Sequence, residues 1–325
     1  MAEVEYQGLL CIGDPHLASR VPGYRKDDYP RVALGKLKWA MDYACEHQLL
    51  PVILGDLFHV PRDNANWLVV ELLETLGDGV LAVAGNHDCS VDQLTDDDTL
   101  AVLSAAGRIH LLDRRGPWSG MMNGTRVTVG GTAYGQRLPE RHDRAAGQCV
   151  FWVAHHDVKF PGYEEAGRLG CREIPGVDAV INGHIHRPLE DVVCGATTWI
   201  NPGNITRVSR GDASRGRRPM VLRIDVDAGG AWTRRLVEVP HRPFEEVFHE
   251  LVQTPEQTEA DSLFIRGLAQ LESLRTAGGA GIGAFVKQNL EAIEREFGGP
   301  VAREIDRLAQ EVMQDGDEPE EHGAA

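Results

Sequence analysis

No stretch of this 325-residue chain approaches the ~18 apolar residues of a membrane-spanning helix. Its N-terminus, MAEVEYQGLLCIGDPH, lacks the basic start and long apolar run of a signal peptide. The sequence therefore predicts a soluble cytoplasmic protein with no membrane partner, and the host cytoplasm if the gene is viral. None of the six cysteines falls in a C-x-x-C pair, so reduced, packed thiols are expected. Aromatic residues make up only 6%, and the tryptophans form no base-stacking stripe. Positive charge is scarce: 33 Lys and Arg stand against 49 Asp and Glu, a net of -16. Phosphate neutralisation needs clustered cations, so bulk charge does not support non-specific nucleic-acid binding, and only local contacts remain open. The acidity is uneven, because residues from Phe244 onward carry 18 acidic and 6 basic groups, a net of -12 that leaves only -4 upstream. There are no internal repeats.

What is present is a regular succession of elements. GLLCIGD (8–14) is a short buried strand. Residues 32–48 put Leu34, Leu37, Met41 and Ala44 on one helical face opposite Lys36, Lys38, Asp42 and Glu46. LLPVILGD (49–56) is a second strand, 65–76 a second helix and VLAVAGNHD (80–88) a third strand, an alternation that implies a parallel sheet. Thr95 or Asp96 can cap a third helix running to about Ala106. Strands then dominate at 109–113, 125–131, 149–157, 177–186, 197–203, 220–226 and 234–239. The pattern predicts an α/β fold of two mixed β-sheets packed as a sandwich flanked by helices. A catalytic domain over 1–243, a helical C-terminal region over 244–313 and an acidic, disordered tail over 314–325 complete the expected organisation.

Chemistry gathers at the strand ends. Asp14 with His16, Asp56, Asn86 with His87, His155, and His184 with His186 each follow an apolar run, and five of the 13 histidines lie in these turns. Carboxylate, amide oxygen and imidazole nitrogen are ligands for hard or borderline divalent metals, and rigid strand ends hold such ligands well. The flanking Gly13, Gly55, Gly85 and Gly183 allow tight turns and close approach to a ligand. Each piece alone is weak, but their order and repeated placement answer no packing requirement.

The ordered set Asp14-Pro15-His16, Gly55-Asp56, Gly85-Asn86-His87-Asp88, His155 and Gly183-His184-Ile185-His186 resembles the calcineurin-like metallophosphoesterases over residues 8 to about 240. The resemblance implies a sandwich fold with a dinuclear metal centre: Asp14, His16 and His186 on one ion, Asn86, His155 and His184 on the other, and Asp56 bridging. At 155–156 the strand end favours His155, with His156 the alternative. Two divalent ions would clamp the phosphate and activate a water for in-line attack, with His87 as general acid. Mixed N/O ligation suits Mn(II), with Fe or Zn as alternatives. Asp88 is expected to orient His87 or the turn.

In the GDLFH block, His59 resembles the SbcD-like DNA-repair nucleases, where this position lies beside the metals. The basic loop RVSRGDASRGRRP (207–219), with Arg207 and Arg210 as substrate-side candidates, reads as either a phosphate-binding loop or a solvated hairpin. NPGN (201–204) reads as a substrate-side loop. The acidic C-terminal region disfavours wrapping a duplex. The expected activity is therefore a phosphodiesterase acting on nucleotides, cyclic nucleotides or model diesters. An SbcD-like Mn-dependent nuclease with an ATPase partner is the alternative, and a non-catalytic metal-binding scaffold the third reading.

Overall fold

Alternating side chains in β1 (Gly8–Ile12) set the layering: Leu9 and Cys11 pack to one side, Leu10 and Ile12 to the other, and all four are fully buried. A strand buried on both faces needs a layer on each side. The computed structural model describes residues 5–22, 25–77, 79–208 and 215–249. Residues 250–313 of the expected helical region, the tail 314–325 and Arg210 lie outside them.

Among the described residues, two six-stranded mixed sheets pack face to face. In the first, β1, β2 (Leu49–Ile53), β3 (Val80–Ala82) and β4 (Ile109–Leu111) run parallel. After α4 (Leu112–Arg115), the second sheet is built from β5 (Trp118–Met122), β6 (Thr125–Thr132), β7 (Cys149–Ala154), β10 (Ala179–Asn182), β11 (Val192–Cys194) and β12 (Thr197–Ile200). There β6, β7, β10 and β12 are parallel, while β5 and β11 are antiparallel edges. A short pair, β8 (Val158–Lys159) and β9 (Leu169–Gly170), lies outside both sheets. The chain then returns to the first sheet through β13 (Met220–Val226) and β14 (Trp232–Glu238), both antiparallel.

Between the sheets, Leu9, Cys11, Val52 and Leu81 meet Val129, Phe151, Val153 and Ile181. On the outer face of the first sheet, Leu10, Ile12 and Ile53 pack under α1 (Tyr29–Glu46), α2 (Asn66–Thr75) and α3 (Thr99–Ala105). Helix α1 begins where the Asp28 carboxylate accepts the Arg31 amide and a proline sits in the first turn, two start signals in succession. Helix α3 starts later than the expected cap, because the Thr95 amide and hydroxyl both donate to Asp98 and hold that stretch as a turn. The outer face of the second sheet is covered by irregular chain, with Phe160, Ile174 and Val177 against Val150, Val180 and Trp199.

The described residues fall in one compact unit, Met1–Glu250, which includes α5 (Phe244–Val247). Among them, no helix is long and apolar enough to cross a membrane, and all six cysteines are free. Phe151 is fully buried between the sheets. Replacing it with alanine should destabilise the fold by about 3–5 kcal/mol through lost transfer energy and a residual cavity, measurable as a lowered midpoint in urea unfolding.

Candidate metal centre

The parallel strands of both sheets open their C-terminal ends at one edge, and the chemistry-bearing turns follow there. Ile12 pairs with Ile53 and Ile53 with Ala82, while Ala154 pairs with Asn182. Asp14, Asp56 and Asn86 leave one sheet, and His155 and His184 leave the other. Four of these turn residues occupy the left-handed region, with φ of 37° at Asp14, 45° at His16, 47° at Asp56 and 71° at His184. Such backbone costs on the order of 1–3 kcal/mol per non-glycine residue and persists only where the surroundings fix it. Here the His16 amide donates to the Asp56 carbonyl (2.9 Å), the His184 amide to Asp14 Oδ1 (2.8 Å) and the His87 amide to Asp56 Oδ1 (2.8 Å).

Glycine is required where turn meets turn. A Cβ on Gly85 would stand 2.1 Å from Asp56 Oδ1, and one on Gly55 2.2 Å from His155 Nδ1. The sequence suggested that these glycines make room for a ligand; the structure shows them making room for one another's metal-facing side chains.

Two groups of donor atoms share Asp56. One comprises Asp14, His16, Asp56 and His186, the other Asp56, His155 and His184, and within each group the donor atoms lie within 4.8 Å of one another. Asp56 Oδ2 stands 3.6 Å from His16 Nε2 and 3.3 Å from His155 Nε2. Asn86 Oδ1 joins the second group, 3.3 Å from His155 Nε2 and 3.0 Å from His184 Nδ1. The other six residues assigned to metal by resemblance thus gather around the Asp56 carboxylate. His156 lies outside these groups: its amide donates to Asn182 Oδ1, and its ring Nε2 is buried without a partner.

Backbone and carboxylate acceptors select which ring nitrogen faces inward. His155 Nδ1 donates to the Leu54 carbonyl (2.7 Å), and His184 Nε2 donates to Asp157 Oδ1 (2.8 Å). This leaves His155 Nε2 and His184 Nδ1 as the ring nitrogens that face Asp56 and Asn86. Asp157 was absent from the residues singled out by sequence; its only signal was its place directly after His155-His156. Asp88 accepts the amides of Gly85 (3.0 Å), Phe58 (3.0 Å) and Leu57 (3.3 Å), so it ties two turns together and does not orient His87.

The charge distribution fits a cation. Asp14 is fully buried, its Oδ2 has no hydrogen-bond partner, and burial pushes the carboxyl up to about 7 despite His155. Burial also works against ionised Asp56, but His155, followed by His16 and His87, overcomes it and holds Asp56 well below the carboxylate range. Asp56 raises His155 to about 10 against its burial, and a bound cation would compete with that proton for Asp56. His16 is driven the other way by burial, and its Nε2 stands 2.9 Å from His186 Nε2. A mixed nitrogen and oxygen set around a buried, partnerless carboxylate oxygen matches a borderline divalent metal.

His87 stands beside these groups. Its Nδ1 donates to the His59 carbonyl (2.9 Å), which leaves Nε2 for substrate, and its ring is 4.8 Å from His16 and stacks on His59 at 5.7 Å. One nitrogen from each of His16, His59 and His87 forms a third cluster. His186 is exposed and marks the open side.

Of the basic stretch 207–219, residues 207–208 and 215–219 are described. Arg207 is 5% exposed, and its guanidinium donates to the carbonyls of Arg217 and Arg242. Arg217 holds the His186 and Thr206 carbonyls and Asn204 Oδ1. Both residues satisfy carbonyls that irregular backbone leaves over. NPGN is likewise scaffold, since Asn201 Nδ2 donates to the Ile185 and Arg187 carbonyls (both 2.8 Å) and so shapes the turn bearing His184 and His186.

A family model described as the calcineurin-like phosphoesterase superfamily domain matches residues 34–228, and the chain belongs to this family. Asp14 and His16 precede the matched span, yet the fold brings them to Asp56. No curated protein matches the chain. Similar solved structures include a 5'-nucleotidase precursor from Thermus thermophilus (13% identity, 71% of this chain and 54% of that one, TM-score 0.41). Others are the NAD nucleotidase NadN from Haemophilus influenzae (11%, 82% and 55%, TM-score 0.42) and a predicted phosphoesterase from Streptococcus pneumoniae (13%, 71% and 97%, TM-score 0.31). The chain spans just over half the length of both nucleotidases.

Two substitutions test this arrangement by metal content, measured by inductively coupled plasma mass spectrometry after dialysis. Gly85→Ala should displace Asp56 and lose bound metal. Asp157→Ala should leave the fold intact and weaken metal affinity about 10–100-fold, because His184 loses the partner that fixes its inward nitrogen.

Proposed function

We propose that the protein is a dinuclear metal-dependent phosphodiesterase that hydrolyses nucleotides, cyclic nucleotides or related diesters. The observation that carries this reading is the sharing of Asp56 by two donor groups, with His87 free beside them. Asp14, His16 and His186 would hold one ion, Asn86, His155 and His184 the other, and Asp56 both, with Mn(II) the favoured metal and Fe or Zn its alternatives. When bound, such a pair neutralises phosphate charge and lowers the pKa of a water so that it serves as nucleophile.

The chain's own residues supply the rest. His87, fixed through Nδ1 by the His59 carbonyl, presents Nε2 to the departing oxygen and donates a proton there. Asp56 Oδ1 anchors the His87 amide, so the carboxylate that would hold both ions also fixes the backbone bearing the acid. The Leu54 carbonyl and Asp157 keep His155 and His184 in the ligating tautomers. The exposed side at His186 admits substrate.

An SbcD-like DNA nuclease is the second reading. It is favoured by His59, whose ring stacks on His87 and whose Nδ1 is buried without a partner. Such an activity would call for an ATPase partner. In either case residues 1–243 would be the catalytic domain, and 244–313 a helical addition of separate role.

Rates with Mn(II) on a chromogenic diester, the matching monoester, cyclic nucleotides and linear duplex DNA distinguish the readings. The proposal expects diester turnover well above monoester turnover. His87→Ala should lower kcat about 10²–10⁴-fold without loss of metal, and Asp56→Ala should abolish both activity and metal binding. Degradation of DNA ends at comparable protein concentration would establish the nuclease instead, and full activity in Asp56→Ala would remove the assigned centre.

A further inference from the structure

Helix α1 presents two useful faces. One packs into the core through Ala33, Leu37, Ala40 and Ala44. The other carries Lys36 and Trp39, with Gly35 between helix turns, and lines a pocket of about 500 Å³ whose remaining walls include Arg25, Asp27, Arg207 and Arg242. This volume falls within the range of about 300–1,000 Å³ typical of small-molecule sites. Gly35 opens its floor: a Cβ there would meet no atom within 4 Å, although glycine in a helix interior costs about 1 kcal/mol relative to alanine.

The lining is unbalanced in charge. Arg25, Lys36, Arg207 and Arg242 face one carboxylate, Asp27, which Arg25 already engages in two 2.7 Å hydrogen bonds. Both of those side chains are at most 4% exposed. Glu245, which also acts on Arg207, pairs with Arg215 at 3.5 Å. Lys36 Nζ donates to the Ile205 carbonyl (2.9 Å) and keeps further N–H groups, and the Arg242 guanidinium has no hydrogen-bond or ion-pair partner among the described residues. Burial, followed by Arg207, Arg25 and Arg217, pushes the Lys36 ammonium down to about 7 against the opposing effect of Asp27. In a chain of net charge -16 this excess is local. Lys36 is half-buried and Arg242 is exposed, so an anion entering the pocket from solvent meets both.

We propose that this pocket binds a phosphate-bearing small molecule, with the phosphate between Lys36 and Arg242 and Trp39 forming an aromatic wall for any attached ring. The site is separate from the metal centre. Ile205 stands between them, its amide donating to the Gly13 carbonyl (3.0 Å) beside Asp14 and its own carbonyl accepting from Lys36. The proposal does not rest on the catalytic reading.

Calorimetric titration of the full chain, held in chelator so that phosphate does not collect at the metal centre, tests it with two probes: orthophosphate and adenosine 5'-monophosphate. At least one probe should bind at a single site, with affinity reduced about tenfold or more by Arg242→Ala, which removes a charge-assisted partner. Gly35→Leu should fill the floor and block binding, while leaving metal content unchanged. If Gly35→Leu fails to fold, judged by circular dichroism, Arg242→Ala decides. Mononucleotide binding tighter than orthophosphate, with a change in Trp39 fluorescence that is lost in Trp39→Leu, identifies a nucleotide; equal affinities identify free phosphate. Absence of binding by both probes up to about 5 mM, the weak end of specific affinity, or unchanged affinity in Arg242→Ala, would overturn the proposal.

Discussion

The site depends on a carboxylate buried among imidazoles. Asp56 is 1% exposed, yet it stays ionised because His155 and His16 approach one oxygen while the His87 amide holds the other. A buried charge of this kind is strongly unfavourable without partners. Its position is therefore not adjustable: the turns after β1, β3 and β7 contact it directly, and the turn after β10 brings His184 and His186 into its donor groups. Packing the two sheets face to face accomplishes this, since strands from both end at the same edge.

That convergence explains why local rules fail there. Non-glycine residues take the left-handed backbone at Asp14, His16, Asp56 and His184, and each is compensated by hydrogen bonds to a neighbouring turn. Strain of this type gathers where function fixes geometry at the expense of local preference. The same crowding makes Gly85 and Gly55 irreplaceable by any residue with a Cβ. Strain, glycine and buried charge are three consequences of one requirement, that side chains from two sheets reach a common point.

Much of this was legible beforehand, for physical reasons. Apolar runs such as LLCI and PVIL carry the signature of strands buried on both faces, and the polar group after each run marks where its ladder stops. The match was poorest where burial comes from backbone demand. Arg207 and Arg217 sit in a Gly- and Ser-rich basic stretch that looks solvated, but Arg207 is buried and Arg217 half-buried because irregular chain leaves carbonyls that guanidinium groups satisfy. Asp157 followed two histidines with no periodicity to distinguish it, and only the fold reveals that it meets His184, 27 positions away. The edge strands β5 and β11 were missed because WSGMM and VVC are half-exposed and do not alternate cleanly.

The most direct test of this account is an anomalous difference map from crystals of the protein soaked in Mn(II). The account predicts two peaks per chain on either side of the Asp56 carboxylate, one contacted by Asp14, His16 and His186 and the other by Asn86, His155 and His184. A single peak, or density away from Asp56, would contradict it.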